Sequence, residues 1–244
     1  MSSAPPRSPA LLAFDTSTEQ LLIAATGPAG DVTWAGPGGA VASAQLVPRL
    51  TAVLAQAGLA LADLDAIAFG AGPGAFTGLR TACAVAQGLA FGLAKPVLPL
   101  DSLQRLAEGS PWRDGPVWVA MDARMDEVYA AEYQPVAEGW RVLRAPALYT
   151  LAALAGLWTA APPRAVAGSA VAAFRERLPW RDADLLSTET APAAALLRVA
   201  SQAWAAGLAL PAEQALPLYL RDKVAQTTAE RQARAQALAV QAAA

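Results

Sequence analysis

AGPGAFTGLRTACAVAQGLAFGL, residues 71–93, decides the reading of this chain. Gly72, Pro73 and Gly74 are turn residues, because glycine takes φ > 0 without steric cost and proline fixes φ. LDAIAFG (64–70) before them is apolar and β-compatible, and a helical run follows, so the order is strand, glycine loop, helix. That order gathers backbone N–H groups at a helix N-terminus, where an anion is stabilised. A P-loop ends in Gly-Lys-Ser/Thr, but Phe76-Thr77-Gly78 follows here without lysine. The G-x-G-x-x-G spacing also fails, at Ala75 and Thr77. A structural turn is the preferred reading, and a phosphate cradle is the alternative.

The helix carries a second signal. Ala84, Gly88 and Gly92 stand four residues apart and form one row of small side chains. Glycine inside a helix costs about 0.8–1.0 kcal/mol relative to alanine, so two of them call for a cause. Close approach of another helix is the plainest one. Spacing leaves open whether that helix is internal or belongs to a partner chain.

The 244 residues suffice for one large domain or two small ones with a substantial core. With 55% hydrophobic and 16% charged residues, the composition is that of an apolar globular chain. A net charge of −2 argues against a chain that grips nucleic acid by itself, since phosphate binding calls for a basic face. A single cysteine, Cys83, excludes an internal disulfide and reads as a core thiol. The absence of histidine excludes Ser-His-Asp and Cys-His triads, HExxH zinc sites and imidazole acid–base catalysis. MSSAPPRSPA does not read as a signal peptide, and prolines trim the uncharged window between Arg144 and Arg164 below a membrane span. A soluble, cytoplasmic protein without a membrane partner is expected.

LLAFD (11–15), QLLIAAT (20–26) and DVTWA (31–35) read as strands, the last two joined by the GPAG turn. A helix is expected over 40–57, with Leu46, Leu50 and Leu54 on one face, Val53 and Ala57 beside them, and Pro48 kinking it or marking its start. A strand at 95–100 and a short helix over 101–108, capped by Asp101-Ser102, follow. A second unit has strands at 116–122, 127–133, 140–145 and 164–168, and helical stretches at 148–158, 170–178 and 192–206. Three meandering strands followed by alternating helix and strand give a ribonuclease-H-like half domain in an α/β chain.

Three places resemble parts of a nucleotide site. Asp15-Thr16-Ser17-Thr18 ends the first strand, where an Asp would hold a hydrated Mg²⁺, although an Asx-type turn is the simpler reading. Gly72 and Gly74 form the second place, and Gly168-Ser169, with one glycine where adenosine loops carry two, forms the third. Asp15, Gly72, Gly74 and Gly168 are thus the weak cofactor candidates. Asp122-Ala-Arg124-Met-Asp126-Glu127 reads as an ion-pair turn rather than an acid–base pair.

LLAFDTSTE (11–19), FGAGPGAFTGLRTACAVAQGLAFG (69–92), MDARMDEVYAAEY (121–133) and PLYLRDKVA (217–225) together resemble the TsaB (YeaZ) family. The likeness runs from about residue 11 to 225 and implies a two-lobed actin, sugar-kinase and Hsp70-like (ASKHA) fold with ribonuclease-H-like lobes. The expected division is an N-terminal lobe at 1–104, a C-terminal lobe at 105–225 and an alanine-rich tail at 226–244. Family members often carry a histidine near the start of the first helix, where this chain has Val41-Ala42-Ser43.

The resemblance also implies a function. Members of this family are similar in fold to the catalytic subunit TsaD, which carries metal-binding histidines and transfers the threonylcarbamoyl group to tRNA that reads ANN codons. They serve as its dimerisation partner, without a catalytic site, metal or cofactor of their own. A TsaE-like ATPase joins the pair, a further enzyme makes the threonylcarbamoyl-adenylate, tRNA is reached through the complex, and ATP or ADP belongs only at a complex interface. Without TsaD such chains form homodimers. The contact maps onto the helices at 40–57 and 78–93, so Leu46, Leu50, Val53, Leu54, Arg80, Ala84, Gly88 and Gly92 are the expected interface residues. An autonomous ATP-dependent kinase or phosphotransferase is the alternative. A peptidase lacks any visible means of activating a nucleophile or water.

Overall fold

A computed structural model describes residues 8–186 and 189–221. The first sheet has the order β3-β2-β1-β4-β5. Its strands are β1 (Leu11–Asp15), β2 (Gln20–Gly27), β3 (Gly30–Pro37), β4 (Ala66–Gly72) and β5 (Val97–Asp101). β1, β2 and β3 form an antiparallel meander, and β4 and β5 extend it in parallel. The second sheet repeats this plan with the order β10-β9-β6-β7-β8. Its strands are β6 (Val117–Asp122), β7 (Glu127–Val136), β8 (Gly139–Thr150), β9 (Ala165–Ala167) and β10 (Asp184–Leu186). Both halves are therefore a meander followed by two parallel strands, the two-lobed α/β architecture expected from the resemblance.

Strand alternation sets what covers each face. In β1, Leu12 and Phe14 face a core shared with α1 (Ala42–Gln56) and α2 (Phe76–Leu93). Leu11 and Ala13 face the other way, onto Leu196, Val199 and Ala200 of α6 (Pro192–Ala205). α6 thus crosses back to the first sheet from the stretch assigned to the second lobe, because that sheet is apolar on both faces. The second sheet is covered by α4 (Leu151–Ala160) and α5 (Ala170–Ala173) on one side. On its other side lies α3 (Ser102–Gly109), whose Leu103, Leu106 and Ala107 pack against Val117, Val119 and Tyr133. The two lobes meet across α3.

Some boundaries move. The helix expected from residue 148 starts at Leu151, because Leu148–Thr150 extend β8 and the Thr150 hydroxyl accepts the Ala153 N–H at 3.2 Å. The stretch at 170–178 keeps only the four-residue α5. Pro48 lies inside α1, which neither begins nor ends there. The Asp101 carboxylate caps α3 by accepting the Leu103 N–H at 2.8 Å, and its other oxygen accepts the Tyr133 hydroxyl of the second lobe at 2.5 Å. The tail at 226–244 lies outside the described residues.

Candidate functional site

The glycine loop closes on the chain itself. The Ala75 N–H donates to the Ser17 carbonyl at 2.8 Å, and the Thr16 hydroxyl donates to the Gly78 carbonyl at 2.6 Å. A Cβ on Gly74 would lie 2.6 Å from the Ser17 carbonyl oxygen, and one on Gly78 only 1.9 Å from that of Thr16. The loop after β1 and the loop before α2 are interlocked, which accounts for the glycines without a phosphate.

The other nucleotide candidates are also engaged. Asp15 is buried, accepts the Ser17 N–H at 2.7 Å and lies 3.5 Å from the Arg105 guanidinium. Gly72 packs beneath the Leu218 carbonyl, and Gly168 closes on the Ala120 carbonyl. Gly74 and Gly168 line a cleft of about 980 Å³ between the lobes, together with Ser17, Arg105, Tyr129 and Glu189. Asp15 and Gly72 are not among its lining residues.

The turn after β6 is the ion-pair turn expected from its charges. Arg124, Met125 and Asp126 all have positive φ, between 57° and 64°. Non-glycine residues adopt this left-handed conformation only when surrounding contacts hold it. Arg124 pairs with Asp122 and with Glu19 of the other lobe, and Asp126 pairs with Arg177. Arg221 donates to the Ala123 carbonyl at 3.0 Å and to the Glu127 carboxylate at 2.5 Å. The segment ending at Arg221 also runs along α2. Cys83 Sγ donates to the Ala215 carbonyl, and the Leu218 N–H to that of Ala71. Burial pushes the Cys83 thiol above its ordinary pKa, as befits a core thiol.

The expected interface residues divide into two groups. Leu46, Leu50, Val53 and Leu54 are all buried in the core between α1, α2 and the first sheet, so in the single chain their side chains pack inside it rather than on its surface. An amphipathic helix turns its apolar stripe toward its own sheet, and α1 does so. Ala84, Gly88 and Gly92 lie on the exposed side of α2. A Cβ on Gly88 or Gly92 would meet nothing within 4 Å, so no described residue of this chain approaches that row. Beside it in the helix, Phe91 is 61% exposed, and on α1 the outward Val47 is 52% exposed. Arg80 is exposed but occupied: its Nε donates to the Tyr219 hydroxyl at 3.0 Å, and its guanidinium lies 4.0 Å from the Phe76 ring centroid. Sequence reasoning missed Val47 and Phe91, although an apolar residue opposite a helix's main apolar stripe is the signal that finds them.

Residues 42–239 match the model of the TsaD family, described as tRNA N6-adenosine threonylcarbamoyltransferase. The chain is 34% identical over 197 residues to the tRNA threonylcarbamoyladenosine biosynthesis protein TsaB of Escherichia coli (strain K12), covering 74% of this chain and 81% of that one. YeaZ from Pseudomonas aeruginosa superposes with a TM-score of 0.76 at 40% identity, covering 87% of this chain and all of that one. A further Pseudomonas aeruginosa structure, described as having similarity to peptidase YeaZ, gives a TM-score of 0.77 at 39% identity over the same shares. With the duplicated α/β lobes, the interlocked glycine loops and these relatives spanning most of its length, this chain belongs to the TsaB family.

Proposed function

We propose that this chain is a non-catalytic dimerisation subunit, which pairs with a TsaD-like catalytic subunit in the formation of N6-threonylcarbamoyladenosine in tRNA. The carrying observation is the exposed row Ala84, Gly88 and Gly92 on α2, which no described part of the chain covers. Small residues let a partner helix approach closely, and Val47 and Phe91 add apolar area of the kind found in interface cores. In this reading the chain forms a homodimer when alone, a TsaE-like ATPase joins the pair, and tRNA is reached through the complex. ATP or ADP then belongs to an interface of the complex. The interlocked loops support that assignment, because the Thr16–Ser17 backbone already packs on residues 74–78 where a phosphate would need room. A peptidase has no imidazole to work with in a chain without histidine.

The test is light scattering after size-exclusion chromatography, on the chain alone and mixed with the TsaD-like protein of its own organism. A homodimer converting to a one-to-one heterodimer is expected. Gly88→Leu should abolish pairing while retaining the wild-type circular dichroism spectrum, because the added side chain projects into open space. A Gly88→Leu chain that pairs as tightly as wild type overturns the assignment of this face.

A further inference from the structure

A charged cluster lies buried beside the interlobe cleft. Asp15, at the end of β1, and Arg105, in the middle of α3, are each 1% exposed. Arg105 Nη1 donates to Glu189 Oε1 at 2.5 Å, and Glu189 lies in the segment leading into α6. Arg105 Nε sits 3.5 Å from Asp15 Oδ2 but makes no hydrogen bond with it or with any other group. Around Asp15, the Ser17 N–H reaches Oδ1, the Ser102 hydroxyl lies 3.5 Å from Oδ2, and the Ser17 and Ser102 hydroxyls are 3.2 Å apart. Gly70 leaves room for the Asp15 carboxyl, since a Cβ there would sit 2.3 Å from its carbon.

Two carboxylates and two hydroxyls, drawn from three separate stretches of chain, thus converge around one guanidinium. An arginine built for a carboxylate forms two parallel N–H bonds to it. Here one N–H faces a carboxylate oxygen without bonding it, so the guanidinium acts on Asp15 as a charge rather than as a fork. One guanidinium thus faces two carboxyl groups. Burial raises the Glu189 pKa, and the Arg105 charge pulls against that rise.

We infer that this cluster is a cation site filled by the chain itself. The Arg105 guanidinium stands where a divalent ion would otherwise neutralise Asp15 and Glu189. Without that side chain, the remaining set (two carboxylates and two hydroxyls) matches the hard oxygen donors that Mg²⁺ and Mn²⁺ take. A divalent ion would cancel both carboxylate charges, which one arginine does not. In the intact chain the guanidinium takes that place and joins β1, α3 and the approach to α6. This inference concerns the chain alone and is independent of which partner it serves.

The test compares full-length wild type, Arg105→Ala and the double variant Arg105→Ala/Glu189→Gln by titration with Mn²⁺, read by electron paramagnetic resonance and calorimetry. Arg105→Ala should bind one Mn²⁺ at least about tenfold tighter than any site in the wild type, and the double variant should lose about that factor again. The melting temperature of Arg105→Ala should rise with Mn²⁺, and also with methylguanidinium, which refills the vacated volume, while neither moves the wild type. If Arg105→Ala is insoluble as expressed, recovery of folded protein on refolding with Mg²⁺ or methylguanidinium, but not without them, supports the site. Mn²⁺ binding no tighter than wild type, equal binding by the double variant, or a variant that neither ion stabilises or refolds overturns it.

Discussion

Residues 71–93 hold two sets of glycines that the chain treats in opposite ways. At Gly74 and Gly78 an added Cβ would collide with backbone oxygens of Ser17 and Thr16, at 2.6 and 1.9 Å. At Gly88 and Gly92, farther along the same stretch, it would meet nothing within 4 Å. The first pair is explained by a contact inside the chain. The second carries the helix cost of glycine, about 0.8–1.0 kcal/mol each, with no contact among the described residues to offset it. Spacing alone reports that little bulk is present; only packing tells a filled site from an open one.

The largest effect should come from the filled side. Gly78→Ala places a methyl group 1.9 Å from the Thr16 carbonyl oxygen, and backbone on both sides must move to relieve it. Overpacking against backbone that cannot rotate away should destabilise the chain by about 3 kcal/mol or more, measured by urea denaturation. A loss under about 1 kcal/mol would mean that the two loops separate easily, and the comparison would fail at its closed end.

The two faces of α1 repeat the contrast on a smaller scale. Leu50 is 3% exposed within the core and Val47, one turn earlier, is 52% exposed. Leu50→Ala should cost about 2–5 kcal/mol, because the cavity it leaves lies between helix and sheet. Val47→Asp should change stability by no more than about 0.5 kcal/mol. In a mixture with the TsaD-like partner the order should reverse, Val47→Asp weakening the complex and Leu50→Ala leaving its affinity near wild type once folded. Equal losses of affinity would show that the partner reads the helix as a whole rather than its outer face.

These pairs also mark what the sequence made legible. The meander and its GPAG turn, the strand–loop–helix order and the Asp101 cap depend on neighbours a few residues apart, and each is present in the fold. The inward stripe of α1 was visible as a stripe, but periodicity does not say whether an apolar face meets its own sheet or another chain. Leu46, Leu50, Val53 and Leu54 therefore read as interface residues until their burial was known. Arg105 was hidden for a related reason: in SLQRLAEG it looks like a solvent-facing charge, yet α3 lies between two lobes and is covered on both sides. Its partners Asp15 and Glu189 are 90 and 84 residues away in the chain, and no local pattern encodes a contact over that separation. The return of α6 to the first sheet is non-local in the same way.

The smallest effect is the most discriminating, because one substitution type should change sign within a single stretch. Gly88→Ala adds a Cβ where no atom of the described chain lies within 4 Å, and it removes the backbone entropy that glycine brings to the unfolded state. The isolated chain should gain about 0.8–1.0 kcal/mol in urea denaturation. For a chain of this size that corresponds to a rise in melting temperature of about 2–4 °C. Gly74→Ala, with its Cβ 2.6 Å from the Ser17 carbonyl oxygen, should instead lose stability. The measurement must be made with the protein dilute enough to be monomeric, since a homodimer packed across Gly88 would itself resist the methyl group. A gain that shrinks or reverses as protein concentration rises would therefore locate the missing neighbour of Gly88 in a second chain, whereas a loss at every concentration would place that neighbour within the chain and leave the outer face of α2 without its claim to a partner.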